Sequence, residues 1–321
     1  MKWILDCDPG HDDMVMLLVA LKRVEVLGVT TVAGNQTIEK VTRNALKVLE
    51  LAGARDVPVA QGAARSLLGT TCVAPEWHGE SGLDGYDVPE PTTRPAAEHA
   101  VEFIHRVATA HDDVGVIATG PLTNLALALA QYPELASRIG AISLMGGSTS
   151  FGNMSPVAEF NIYVDPEAAD AAFASGIPIT MYGLNVTCQV PLDAVLVGKI
   201  RGLGNRIAEP VAGWLDFYLD RSEELLGRRV GFVHDLCALA GVVQPGLFEY
   251  TPAYVRVELT GRRTRGMTVC DQRFALVGEA QAERLGDLYA DFDKARPNTQ
   301  VGVRADADRV NEFMLAALAE Y

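Results

Sequence analysis

Four aspartates within eight residues, Asp6-Cys7-Asp8-Pro9-Gly10-His11-Asp12-Asp13, constrain this chain more than any other feature. They follow the short apolar run Trp3-Ile4-Leu5, which reads as a buried strand. Pro9-Gly10 then turns the chain, and Met14 to Leu21 continues with helical character. So many carboxylates at one strand-to-helix turn repel one another unless something positive neutralises them. Asp12 and Asp13 alone could be an ordinary acidic first turn of a helix. That reading does not explain Asp8, placed just before the turn and able to face the same point. A hard cation held by oxygen ligands does explain it, with calcium or magnesium favoured over zinc.

Further along, apolar segments of strand and helix character alternate. Strand candidates are Val24 to Ala33, Val57 to Ala60, Val114 to Ala118, Ala141 to Met145 and Ile177 to Tyr182, with a helix over Thr37 to Leu51. Alternation of this kind implies right-handed crossovers and a mainly parallel sheet, with functional residues beyond the carboxyl ends of its strands. Ser66 to Pro95 is rich in Gly, Pro and polar residues and reads as a long loop. Leu203 to Leu226 reads as mostly helical. Strands return at Tyr254 to Leu259, Arg265 to Asp271 and Gln300 to Val303, and a helix follows Asp306. The expectation is one α/β domain over residues 1–321, built on a mixed, largely parallel Rossmann-like sheet flanked by helices.

The net charge of −14 sets the average surface field against a phosphate backbone, which argues against nucleic acid as partner but not against neutral nucleosides. The five cysteines are scattered, without CxxC spacing, so free thiols are expected rather than a disulfide framework or zinc site. The N-terminus reaches charge almost at once and no apolar run could span a bilayer, so a cytoplasmic protein without membrane partners is expected.

Three more segments carry candidate chemistry. Thr119-Gly120-Pro121-Leu122-Thr123-Asn124 follows a strand and opens a helix. Met145-Gly146-Gly147, Asn153 and Ala158-Glu159-Phe160-Asn161 place amides and a carboxylate in a Gly-rich region. Val233-His234-Asp235 precedes an apolar run. Read singly, each has a structural alternative such as a cap or a turn bond. Alone, Asp6-Cys7-Asp8 also suits a magnesium phosphatase of the haloacid-dehalogenase type, although no convincing set of partner residues accompanies it. A non-catalytic, calcium-dependent nucleoside- or sugar-binding protein is the alternative from another class.

Taken together and in order, these motifs resemble the inosine-uridine preferring nucleoside hydrolases, which are calcium-dependent. The resemblance implies ribonucleoside hydrolysis to free base and ribose, purine or pyrimidine salvage, and a homodimer or homotetramer. It implies that Asp8, Asp13 and Asp235 are carboxylate ligands of calcium, with the Thr119 carbonyl as backbone ligand. Asp8 would also be the general base for a metal-activated water, and His234 would assist the leaving base. Asp12, Asn35, Asn153, Glu159, Asn161 and the Met145 backbone match groups that grip ribose hydroxyls. His78 matches a loop histidine near the base, and Tyr218 lies in the segment that faces it. Asp6 would orient the loop from behind, and His11 is read as structural. Base preference stays open at this point.

Overall fold

The computed structural model describes residues 1–277, 281 and 296–321. Along the chain its strands are β1 (Lys2–Cys7), β2 (Val26–Thr31), β3 (Val59–Gln61), β4 (Val114–Ala118), β5 (Ile139–Met145), β6 (Ile179–Tyr182), β7 (Pro191–Leu192), β8 (Gly231–Phe232), β9 (Phe248–Val257), β10 (Thr268–Asp271) and β11 (Thr299–Ala305). Nine of them form one sheet in the order β10-β9-β11-β6-β5-β4-β1-β2-β3, while β7 and β8 pair separately. From β3 to β11 all neighbours are parallel; β9 and β10 add an antiparallel margin. The sheet is therefore mixed and largely parallel, as the alternation predicts.

Both faces of the sheet are covered, which is why its central strands are almost wholly apolar. The pleat sends successive side chains to opposite faces. In β1, Trp3, Leu5 and Cys7 join one core while Ile4 joins the other. The first core is shared with helices His11–Arg23, Ala208–Leu226, His234–Val243 and Ala307–Leu318. The second is shared with Ala100–Ala110, Thr123–Gln131 and Pro166–Phe173. Helix His11–Arg23 is buried without interruption through Ala20, because Ile38–Ala52, Ala208–Leu226, His234–Val243 and Ala307–Leu318 pack on it and it shares a core with the sheet. A helix so enclosed has no need of a polar face. Among the described residues, no helix is long and apolar enough to cross a membrane.

Some boundaries differ from the expectation. β9 begins at Phe248 rather than Tyr254, because Pro252 stands where the strand pairs with β11 alone; β10 covers only Tyr254 to Val257. Proline is tolerated in a sheet where one side of its strand is open. The helix expected from Leu203 begins at Ala208, after a turn. The 66–95 loop contains one helical turn, Pro75–His78, that composition did not reveal.

What matters for function is the centre of the sheet. From β1 the chain runs to β2 and β3 on one side, then returns to place β4 on the other. A ligand crevice opens where the direction of strand addition reverses, outside the carboxyl ends of the strands. Asp8 follows β1, Asn35 follows β2, Thr119 follows β4, and Met145 ends β5.

Candidate active site

Asp8 is seated by contact rather than by regular structure. Asn35 N donates to its Oδ2 at 2.7 Å, and its Oδ1 is buried without a hydrogen-bond partner among the described residues. A Cβ on Gly34 would lie 2.1 Å from Asp8 Oδ2, and one on Gly120 would lie 2.8 Å from Oδ1. Both glycines are therefore needed for the close approach of backbone to carboxylate. Asp13 accepts from Gly10 N at 3.1 Å, Asn35 Nδ2 at 3.0 Å and Thr119 Oγ1 at 3.0 Å. Together these bonds join the ends of β1, β2 and β4 on one acid.

Among the described residues, the carboxylates of Asp12, Asp13 and Asp235 come within 4.8 Å of one another, and all three are buried. Asp8 is outside that trio, but the charges of Asp13 and Asp12 both act on it. Burial pushes all four carboxyl groups above the usual carboxylate range. Mutual repulsion adds to this, chiefly from Asp13 on Asp8 and Asp12, and from Asp12 on Asp235. Such a cluster is costly as four separate anions and favourable around a cation. The orphaned Asp8 oxygen and the all-oxygen donor set fit a hard divalent ion.

Behind the cluster, Asp6 Oδ1 accepts from Thr30 Oγ1 at 2.6 Å and Asn124 Nδ2 at 2.8 Å, while burial lifts its carboxyl to about 6. Asn44 is a supporting contact that the motifs do not point to. Its Nδ2 donates to Pro9 O and Ser81 O, tying the acidic turn to the 66–95 loop. The only signal for it is an amide within the buried stripe of helix Ile38–Ala52, beside Val41, Ala45 and Val48.

A cavity of about 380 Å³ opens over the acids. Asp12, Asn35, Thr119, Met145, Glu159, Asn161 and Asp235 line one part of it. Asn161 Nδ2 donates to Thr119 O at 2.7 Å and Met145 O at 3.1 Å, leaving its Oδ1 without a partner among the described residues. The Thr119 carbonyl thus has one lone pair engaged and one remaining. Glu159 caps helix Phe160–Val164, accepting from Asn161 N, Ile162 N and Gly147 N; burial raises its carboxyl to about 7. Asn153 also lines the cavity, exposed, with its backbone N bonded to Ala158 O.

The remaining wall carries Trp77, His78, Tyr218, Phe232, His234 and Arg228, the last unmarked by any motif. His234 Nδ1 lies 2.7 Å from Thr187 Oγ1, and burial lowers its pKa to about 4. Ser222 lines the cavity, but its hydroxyl donates to Arg228 O and Val230 O. Phe217 stacks on His11 at 5.4 Å between ring centroids and does not line the cavity. Of the site residues expected from the sequence, all but Asp8 and Asp13 line this cavity, and those two are hydrogen-bonded to Asn35, which does.

A sequence model of the family described as inosine-uridine preferring nucleoside hydrolase matches residues 3–312. This chain belongs to that family. Two curated relatives are each named pyrimidine-specific ribonucleoside hydrolase RihA. The one from Shewanella woodyi is 46% identical over 290 residues, covering 89% of this chain and 93% of its own. The one from an Enterobacter species is 42% identical over 322 residues, covering 99% and 97%. Among solved structures, a purine-preferring ribonucleoside hydrolase from Gardnerella vaginalis superposes with TM-score 0.89 at 32% identity, covering 100% of this chain and 98% of that one. A plant nucleoside hydrolase gives TM-score 0.90 at 31% identity, covering 100% and 99%. This nucleoside hydrolase is therefore an enzyme that cleaves the N-glycosidic bond of ribonucleosides, and the phosphatase and binding-protein alternatives fall away.

Proposed function

We propose that this nucleoside hydrolase acts on pyrimidine ribonucleosides with calcium in the aspartate cluster, Asp8 as general base and His234 beside the leaving base. The observation that carries the reading is the buried acid cluster on the floor of a cavity of small-ligand size, with Asp8 Oδ1 unpartnered among the described residues. The pyrimidine preference is supported by relatives at 42–46% identity whose names specify it. The purine-preferring structural relative is more distant, at 32%.

Asp8, Asp13, Asp235 and the free lone pair of the Thr119 carbonyl would hold the ion, and the structure adds Asp12 as a neighbour within reach. When bound, calcium lowers the pKa of water and orients the ribose diol. The rest of the chemistry belongs to side chains. Positive charge grows at C1′ as the bond to the base breaks, as in glycoside hydrolysis. The anionic floor stabilises that charge. Asp8 Oδ1, without a hydrogen-bond partner among the described residues, takes the proton of the attacking water. Asn35 and Asn161 have their amide nitrogens engaged by Asp13, Thr119 and Met145, so they offer Oδ1 acceptors to ribose hydroxyls. Glu159 and Asn153 complete the sugar wall. His78 and Tyr218 stand toward the base.

Two results are expected. A 2′-deoxyribonucleoside leaves these acceptors and one metal position without a partner. Sites built around a substrate hydroxyl reject the analogue lacking it by roughly 10⁴-fold, so kcat/KM for uridine should exceed that for deoxyuridine on that scale. Deoxynucleosides break their glycosidic bonds more easily in water, which opposes the effect without reversing it. A ratio below about ten withdraws the sugar-binding roles. Secondly, His234→Ala should slow uridine cleavage by about 10²-fold or more while sparing p-nitrophenyl riboside, whose leaving group needs no proton. Equal losses on both substrates assign His234 to structure. Homodimer or homotetramer, the assembly the family resemblance suggests, is read by light scattering on the purified protein.

A further inference from the structure

His11 opens helix His11–Arg23 fully buried, and its ring meets that of His78 across the cavity wall. The two Nδ1 atoms are 3.0 Å apart, and His11 Nε2 is 2.9 Å from the carbonyl oxygen of Asp84. That carbonyl is held in place because the Asp84 carboxylate accepts from Glu80 N and Ser81 N, each at 3.0 Å. Close approach of the rings depends on Gly10, whose Cβ would lie 2.6 Å from His78 Nδ1.

We infer that His11 is a positioning residue that fixes the tautomer of His78, so that His78 Nε2 meets the nucleoside as a bare hydrogen-bond acceptor. A carbonyl oxygen can only accept, so His11 Nε2 carries a hydrogen. A neutral imidazole has a single N–H, which leaves His11 Nδ1 as acceptor and makes His78 Nδ1 the donor across the 3.0 Å contact. The hydrogen of His78 is then used, and its Nε2 keeps a lone pair. One contact opposes this order: the backbone N–H of His11 points at His78 Nδ1 from 3.4 Å. The reverse order would satisfy that long contact, but it presses the His11 Nε2 lone pair against the Asp84 oxygen at 2.9 Å. The shorter contact decides. A doubly protonated His11 would serve every partner, but it is a buried cation at a helix N-terminus, where the helix dipole repels positive charge.

His78 lines the cavity, and its Nε2 has no hydrogen-bond partner among the described residues. The ring stands beside Asn35, since the same Cβ on Gly10 would lie 2.9 Å from Asn35 Nδ2, and it stacks on Tyr218. An acceptor there selects for a substrate donor. With the 2′- and 3′-hydroxyls assigned to the sugar wall and the ion, uridine has two donors left, the 5′-hydroxyl and the N3–H of the base. This deepens the nucleoside reading above and rests on it.

The direct test uses the free protein labelled with ¹⁵N-histidine. Two-bond ¹H–¹⁵N correlations distinguish a protonated from a bare ring nitrogen, with His78 assigned by its absence from a His78→Gln sample. The expected spectrum shows His78 protonated at Nδ1 and bare at Nε2; protonation at Nε2 overturns the inference. Substitutions then read the consequence. His11→Asn keeps an oxygen acceptor close to the place of Nδ1 and should keep the His78 tautomer. His11→Phe keeps the ring stack but no acceptor, so the tautomers should mix and KM for uridine should rise about tenfold, with kcat changing less. The rise should vanish with 5′-deoxyuridine if the hydroxyl is the donor, or with 3-methyluridine if the base is. A rise that survives on both analogues overturns the acceptor role. Because the spectrum is taken without substrate, a protein that cleaves no nucleoside would sink the functional reading and leave the tautomer result standing.

Discussion

The Asp13→Ala protein should fold, retain no calcium after dialysis, and lose about 10³-fold or more in turnover. Asp13 stands at the crossing of three chain segments, accepting from Gly10 N, Asn35 Nδ2 and Thr119 Oγ1. Its carboxylate also comes within 4.8 Å of those of Asp12 and Asp235. Alanine leaves three donors without their acceptor, each worth about 1–3 kcal/mol if it stays buried and unserved. The loss is offset in part, because removing one of four crowded carboxylates relieves repulsion and opens space for water. The net change in stability should be small beside the loss of the cation. Asp13→Asn is the companion variant. It preserves shape and most hydrogen bonding while lowering the charge of the cluster, so it should melt close to wild type and still bind calcium weakly. Stoichiometric calcium in the dialysed Asp13→Ala protein would contradict the assignment.

Asp8→Asn tests a different step and should separate binding from chemistry. Its carboxylate has one oxygen engaged by Asn35 N and one without a hydrogen-bond partner among the described residues. An asparagine can keep the first contact through its own oxygen, but then presents an amide NH₂ where the free oxygen stood. It cannot take a proton there. Loss of a positioned general base costs about 10²–10⁴-fold, and weakened ion binding adds to it. Affinity for a ribose-containing inhibitor, measured at saturating calcium, should fall far less than kcat, because Asn35, Asn161 and Glu159 are untouched. Turnover within about tenfold of wild type would assign proton removal to another residue.

Both variants strike residues that the sequence itself marks out. Acids packed at a strand-to-helix turn, with Pro9-Gly10 between them, have few physical uses, so the order of residues alone makes the cluster legible. β4 is legible to the residue, because a parallel strand buried on both faces is an unbroken apolar run. What pattern alone does not show is which groups hold the acids in place. Asn44 looks like a single polar residue in a helix, and its value appears only when the fold brings Pro9 and Ser81 to it. Gly34 and Gly120 read as loop glycines until Asp8 is seated against both. His11 occupies a position between functional acids where local sequence gives no hint of the ring it will meet 67 residues later. Asp12 shows the remaining gap. The family resemblance places it on the sugar, while the structure sets its carboxylate among those closest to Asp13 and Asp235. Distances between side chains from separate segments are tertiary facts, and no local period encodes them.

The measurement closest to the centre of the account is product release from purified, calcium-loaded enzyme offered uridine, cytidine and inosine at equal concentration. Free base and ribose should appear in equal amounts, fastest from the pyrimidine nucleosides, and a chelator should stop the reaction until calcium is restored. Release of no base from any ribonucleoside would contradict the account at its root, and undiminished release in excess chelator would contradict the role given to the aspartate cluster.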